Sequence, residues 1–121
     1  MFYSQAVPEK ALLKLESLKV LKKNEKVIAF YDNSLFLSAS KGIICVENEI
    51  RVYAGQKINY YKINEIKDIE FREVDKESYA FKMILITKEG KEYDITPASI
   101  PNDEMKLFID VINMHRSRLN F

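Results

Sequence analysis

The middle of the chain, from residue 25 to residue 96, consists of short apolar runs separated by turn residues. Runs of this length, rich in β-branched and aromatic residues, predict the strands of an antiparallel sheet or barrel. The predicted strands are residues 25–31, 42–47, 50–54, 58–62, 66–73, 79–87 and 92–96. In the second strand, the continuous apolar run 43–46 is typical of a strand covered on both faces. In the third, Arg51 and Tyr53 alternate with apolar residues, which indicates two different faces.

Two segments whose apolar residues recur at helical spacing lie before and after the predicted strands. Pro8 and Glu9 are residue types favoured in the first turn of a helix, and apolar residues follow at helical spacing. We predict a helix of about three turns that ends near Lys19, followed by an irregular link over residues 20–24. A second helix is predicted from Pro101 to Arg118, with acidic residues in its first turn and basic residues in its last.

The second helix carries more apolar residues than one packing face can use, because they cover well over half of its circumference. We expect one row, with Phe108 and Ile112, to be buried against the strands. The other row needs a partner of its own, and the apolar stripe of the first helix is complementary to it. These candidate interface residues are Leu107, Val111 and Met114 on the second helix and Leu12, Leu15 and Leu18 on the first. The two helices pair either within one chain or between chains, and we favour the latter, a homo-oligomer.

Three segments of the chain resemble small bacterial members of the pleckstrin-homology (PH) family. Residues 21–28 (LKKNEKVI) are similar to the start of that family's first strand, where a leucine and a polar turn precede a glutamate and an apolar strand. Residues 60–71 (YYKINEIKDIEF) resemble the place where one strand ends in a polar turn and an isoleucine begins the next. Residues 84–93 (ILITKEGKEY) are similar to the last hairpin before the C-terminal helix.

The resemblance implies a mainly β, α+β fold: a PH-like seven-stranded antiparallel barrel with a C-terminal capping helix at residues 25–121, preceded by an accessory helix and link at 1–24. Many relatives carry Thr-x-x-Arg between the second and third strands, whereas residues 47–51 (ENEIR) contain no threonine. Phosphoinositide-binding PH domains carry basic residues between the first two strands, and residues 32–40 contain none, which disfavours that kind of headgroup recognition. Since one superfold hosts many functions, the resemblance predicts a fold better than a ligand.

The composition excludes several classes of function. The 121 residues include 19 Lys and Arg against 18 Asp and Glu, and this balance argues against nucleic acid as a partner. One cysteine, one histidine and three scattered glycines cannot form a disulfide framework, a cysteine-rich or histidine-rich metal site or a glycine-rich nucleotide loop. The longest apolar run, residues 27–31, is too short to span a membrane, so we expect a cytoplasmic protein.

No combination of residues predicts catalysis, a cofactor or a metal ion. Cys45 lies in the apolar second strand, where a thiol is expected to be a small core residue. His115, near the end of the second helix, is expected to cap that helix or to be half-exposed. Asp68, Glu70 and Asp94 alternate along strands, as solvated side chains do. We therefore predict that the protein is not an enzyme.

Two kinds of binding module remain. The favoured one is a non-catalytic PH-like module that acts through protein–protein contacts, self-association included, with a partner that the sequence does not identify. Tyrosines on the predicted strands suit an interface, although β-propensity is the favoured explanation for Tyr53, Tyr60, Tyr61, Tyr79 and Tyr93. The alternative is a peripheral membrane module that binds anionic lipid. Its candidate contacts are Lys22, Lys23, Lys26, Leu35, Phe36 and Leu37.

Overall fold

The computed structural model describes residues 1–4, 6–34 and 37–119. Its elements, in chain order, are β1 (Phe2–Tyr3), α1 (Glu9–Ser17), β2 (Val27–Asp32), β3 (Lys41–Val46), β4 (Glu49–Ala54), β5 (Lys57–Lys62), β6 (Ile66–Asp75), β7 (Ala80–Thr87), β8 (Glu92–Asp94) and α2 (Asn102–Arg118). A 3₁₀ turn, Ile63–Glu65, links β5 to β6.

The strands form two antiparallel sheets, with the orders β1-β2-β3-β4-β5 and β6-β7-β8. The mixed α+β class and the antiparallel pairing are confirmed, and the predicted strands correspond to β2 to β8 with ends shifted by no more than two residues. The helices predicted before and after the strands are α1 and α2. β1, which pairs Phe2 with Tyr31, is not among the predicted strands, because two residues are too few to show a period.

Over the residues described, the two sheets are not closed into a barrel. β5 pairs with β4 and β6 pairs with β7, while the 3₁₀ turn connects β5 to β6 without any pairing between these two strands. β8 has only three residues, and the chain leaves the second sheet after Asp94. The closed seven-stranded barrel is therefore not confirmed, and the architecture is that of two sheets packed together.

The main core lies between the inner faces of the two sheets and α2. It includes these fully buried side chains: Ala29, Ile43, Cys45, Ile50, Met83, Leu85, Phe108 and Ile112. α2 packs against β2 of the first sheet and against β6 and β7 of the second, so it fills the gap between the sheets. The expected burial of Phe108 and Ile112 is confirmed, since both are 0% exposed.

A second core lies on the outer face of the first sheet, under α1. Leu15 of α1 is fully buried with Phe30 and Ile44, which point away from the main core because strand side chains alternate. β3 is thus buried on both faces, as its continuous apolar run predicts. α1 ends in a Schellman motif, in which the Val20 N–H donates to the Leu15 carbonyl at 3.0 Å and Lys19 has a φ of 62°.

The two helices lie on opposite faces of the first sheet. α1 packs on the outer core and α2 on the main core, so of the two alternatives for the helices, pairing of α1 with α2 within one chain does not occur, and the favoured pairing between chains stays a prediction. The reason lies in β4, where Arg51 and Tyr53 are buried and turn the second face of the strand into a packing surface for α1 and the link. Leu12 and Leu18 also pack, half-buried, against this outer core.

Candidate interaction surface on the C-terminal helix

α2 presents an apolar row to solvent in addition to its buried row. Leu107 is 51% exposed, Met114 is 57% exposed, and Val111 between them is half-buried. At 100° per residue these three side chains lie close together on one side of the helix, and Val111 also packs against the edge of the main core. We call Leu107, Val111 and Met114 the α2 ridge. The structure therefore leaves exposed two of the three residues of the row that the sequence indicated as an interface, Leu107 and Met114.

A groove of about 440 Å³ runs beside the C-terminal half of the α2 ridge. It is lined by four apolar side chains, Ile28, Val111, Met114 and Leu119, and by five polar or charged ones, Ser4, Lys26, Glu47, His115 and Arg118. The groove thus combines side chains from the start of β2, the turn after β3 and the end of α2. Because these segments are far apart in the sequence, no local pattern indicates the groove.

His115 fixes the C-terminal half of α2 to the first sheet. The His115 Nε2 atom lies 2.8 Å from the Glu47 carbonyl oxygen. Because a carbonyl oxygen only accepts hydrogen bonds, Nε2 is the donor. The residue is 8% exposed, so the expectation of a capping or half-exposed histidine is wrong. A histidine three residues after the core position Ile112 is a packing signal, but the sequence does not reveal its acceptor.

Arg116 holds the other side of α2 to the second sheet. Its Nη2 donates to the carbonyl oxygens of Ile66 at 3.0 Å and Lys67 at 2.8 Å, at the start of β6. Its Nη1 donates to Oδ1 of Asn113 at 3.0 Å. With His115 on one sheet and Arg116 on the other, α2 is anchored on both flanks. The α2 ridge is therefore carried by a rigid element.

A buried ion network fixes the link between α1 and β2. The Arg51 guanidinium donates to both carboxylate oxygens of Glu25, at 2.6 and 2.8 Å, to Glu49 at 2.7 Å and to the Val20 carbonyl at 2.6 Å. The hydrogen bonds from Arg51 lower the pKa of the Glu25 carboxyl, against the opposite effect of its partial burial. This network ties residues 20–25 to β4, and with them the end of α1. The end of α1 is thereby positioned next to β4.

Three of the residues considered for chemistry have defined surroundings in the fold. Cys45 is fully buried, and burial raises the pKa of its thiol to about 12, so at neutral pH it is not a thiolate. Glu70 is paired with Arg72 at 2.9 Å, and Asp94 with Lys82 at 3.3 Å. Within residues 1–4, 6–34 and 37–119 there is no group of three His, Cys, Asp or Glu side chains placed to hold a metal ion.

The candidate lipid contacts lie at two ends of one strand. Lys22, Lys23 and Lys26 are exposed before the start of β2, whereas Leu37, which is 47% exposed, follows its end. β2, with six residues, is about 20 Å long; Lys26 directly precedes it and Leu37 follows its other end by five residues. The other two candidates in that loop, Leu35 and Phe36, lie outside the described residues. The structure thus places Lys26 and Leu37 beyond opposite ends of β2.

The tyrosines are divided between packing and exposure. Tyr61 of β5 and Tyr93 of β8 have ring centroids 5.3 Å apart, which brings the edges of the two sheets into contact. Tyr53 is buried and its hydroxyl donates to the Ala39 carbonyl at 2.8 Å. Tyr60 and Tyr79 are 56% and 74% exposed.

None of the helices in the described part of the chain has the length and apolar character that spanning a bilayer requires. Comparison of the chain with protein-family models, with curated proteins and with solved structures finds no match. The resemblance to the PH family therefore stays a prediction, and the function is argued from the α2 ridge and its groove.

Proposed function

We propose that this protein is a non-catalytic binding module with a PH-like arrangement, and that it acts through protein–protein contacts of the α2 ridge, self-association included. The arrangement is supported by the order of elements: strands β2 to β5 in one sheet, β6 to β8 in the next, and α2 in the gap between them. A helix that fills this gap needs only one buried row, and α2 has two apolar rows.

One observation carries the proposal: the exposure of Leu107 and Met114 on a helix that is anchored on both flanks. Single exposed apolar side chains are ordinary, but these two flank Val111 at spacings of four and three residues, and Met114 together with Val111 lines the groove. Because Leu107 and Met114 are each about half exposed, covering either one stabilises a complex by about half of the roughly 1.5 to 3 kcal/mol for complete burial, before the entropy of association is subtracted. A continuous apolar row of this kind is typical of a contact surface.

Self-association through exchange of α1 is not favoured by the packing. Leu15 is fully buried, and the Arg51 network holds the link after α1 in place, so exchange would first break both. The α2 ridge requires no such rearrangement. We therefore assign self-association to the α2 ridge of the folded chain.

The test is the mass of the protein in solution as a function of concentration, measured by light scattering after size exclusion. The parent should increase in mass with concentration, and the double variant Leu107→Glu with Met114→Glu should stay monomeric. Leu13→Glu is the matched control, since Leu13 is 60% exposed on α1, away from the ridge. A parent that is monomeric at every concentration, or a ridge variant that assembles like the parent, contradicts the proposal.

One observation favours the membrane alternative: Lys26 and Arg118 line the groove next to Met114, so positive charge borders apolar surface. Co-sedimentation with vesicles of anionic lipid, compared with vesicles of neutral lipid, tests it directly. If lipid is the ligand, Lys26→Glu together with Arg118→Glu should abolish sedimentation with anionic vesicles. Absence of binding by the parent protein would exclude the alternative.

A further inference from the structure

The charges along α2 indicate which protein covers the α2 ridge. We propose that the partner is a second copy of this chain, whose α2 lies antiparallel to the first across a two-fold axis near Val111. This inference rests on the proposed function and specifies the partner and its orientation.

The α2 ridge has an acidic end and a basic end. Glu104 precedes Leu107 by three residues, and Arg118 follows Met114 by four. Spacings of three and four residues place side chains on one face of a helix, so the ridge is continued by a carboxylate at one end and a guanidinium at the other. Asp103 adds a second acidic group in the first turn.

This charged stripe is symmetric about Val111. Glu104 and Arg118 each lie seven residues from Val111, while Leu107 lies four residues before it and Met114 three residues after it. When two copies cross antiparallel at Val111, Leu107 of one copy meets Met114 of the other, and a Glu104–Arg118 pair forms at both ends. A parallel arrangement places Glu104 against Glu104 and Arg118 against Arg118, which electrostatic repulsion disfavours.

The spacing of these residues also suits a helix as the partner element better than an extended segment. Intervals of 3, 4, 3 and 4 residues from Glu104 to Arg118 form one seam of the kind that packs helix against helix at about 20°. At a rise of about 1.5 Å per residue, the seam is about 21 Å long. Two copies can thus stay in contact along the whole stripe.

The end groups are free for this role in the described part of the chain. Neither Glu104 nor Arg118 forms a salt bridge there, and Arg118 instead donates to the sulfur of Met114 at 3.5 Å. The seam is small beside the roughly 800 Å² per partner of a stable interface. We therefore expect a weak dimer, with a dissociation constant on the order of 10 µM.

Charge exchange tests the arrangement on the full chain. We expect Arg118→Glu to raise the dissociation constant at least tenfold, because a carboxylate then faces Glu104 at both ends of the dimer in place of the two salt bridges. Combining it with Glu104→Arg should return the constant to within about threefold of the parent, since both pairs form again with reversed sign. Mixing the two single variants should give a heterodimer tighter than either homodimer.

Lys106→Glu, an equal charge change on the other side of α2, is the control. Sedimentation velocity gives the constants, and thermal unfolding verifies that each variant is folded.

The outcomes separate this inference from the proposed function. If Leu107→Glu abolishes the dimer while Arg118→Glu has no more effect than Lys106→Glu, self-association through the ridge stands and the antiparallel arrangement is overturned. The same conclusion follows if the double variant is folded but does not form the dimer. A parent protein that stays monomeric throughout, or a dimer insensitive to Leu107→Glu, overturns both.

Discussion

Replacing Phe108 by alanine tests whether α2 closes the main core. Phe108 is 0% exposed, and its ring meets Phe2 edge to face at a centroid distance of 6.0 Å. Truncation removes the ring from a site between two sheets and an anchored helix, where the surroundings collapse poorly. The expected loss in unfolding free energy is about 3 to 5 kcal/mol.

The loss is large beside the stability of a domain of this size. A chain of 121 residues unfolds with an entropy near 0.25 kcal/mol/K, from about 2.1 cal/mol/K per residue, so the melting temperature should fall by about 12 to 20 °C. The total unfolding free energy of a typical domain is about 5 to 15 kcal/mol. The alanine variant is therefore expected to be marginal, and Phe108→Leu, with an expected loss of about 1 kcal/mol, provides a variant that remains folded.

Urea unfolding followed by circular dichroism measures the loss, with the midpoint expected to fall and the slope to stay unchanged. Leu107→Ala is the matched control on the neighbouring residue, because Leu107 is 51% exposed and its truncation should change stability by less than about 0.5 kcal/mol. To avoid a contribution from self-association, the measurements are made at low protein concentration. A loss below about 1 kcal/mol for Phe108→Ala would refute the capping position of α2.

Three further predictions concern buried polar and ionisable groups. The pKa of Glu25 is lowered from its ordinary 4.5. Its ionised carboxylate therefore stabilises the fold above pH 4.5, and this stabilisation is lost as the pH falls through the lowered pKa. In acid titrations, the difference in unfolding free energy between the parent and Glu25→Gln should shrink over the same pH range. Cys45, with its pKa raised to about 12, should react with a thiol reagent only on unfolding, and rapid labelling of the native protein would contradict its burial. His115→Ala should lower stability by about 1 to 3 kcal/mol in urea titrations, because the buried contact with the Glu47 carbonyl is lost; an unchanged midpoint would argue against that anchor.

The sequence determined the features that depend on near neighbours along the chain. Alternation and β-branched runs located β2 to β8, and Pro101 with the acidic residues after it located the start of α2. The four apolar residues 43–46 predicted a strand buried on both faces, and Cys45 within them is a core residue. These features are predictable because the period of the backbone decides which side chains share a face.

Only the tertiary structure decided what each of those faces contacts. The face of β4 with Arg51 became a core surface, because Glu25 and Glu49 supply the charges that a buried guanidinium requires. That packing directs α1 to the outer face of the first sheet, opposite α2, and leaves the α2 ridge exposed. The hydrogen bond from His115 is accepted by the Glu47 carbonyl oxygen, which is 68 residues away in the sequence. Such contacts depend on segments that meet only after folding, and no local pattern encodes the distance between them.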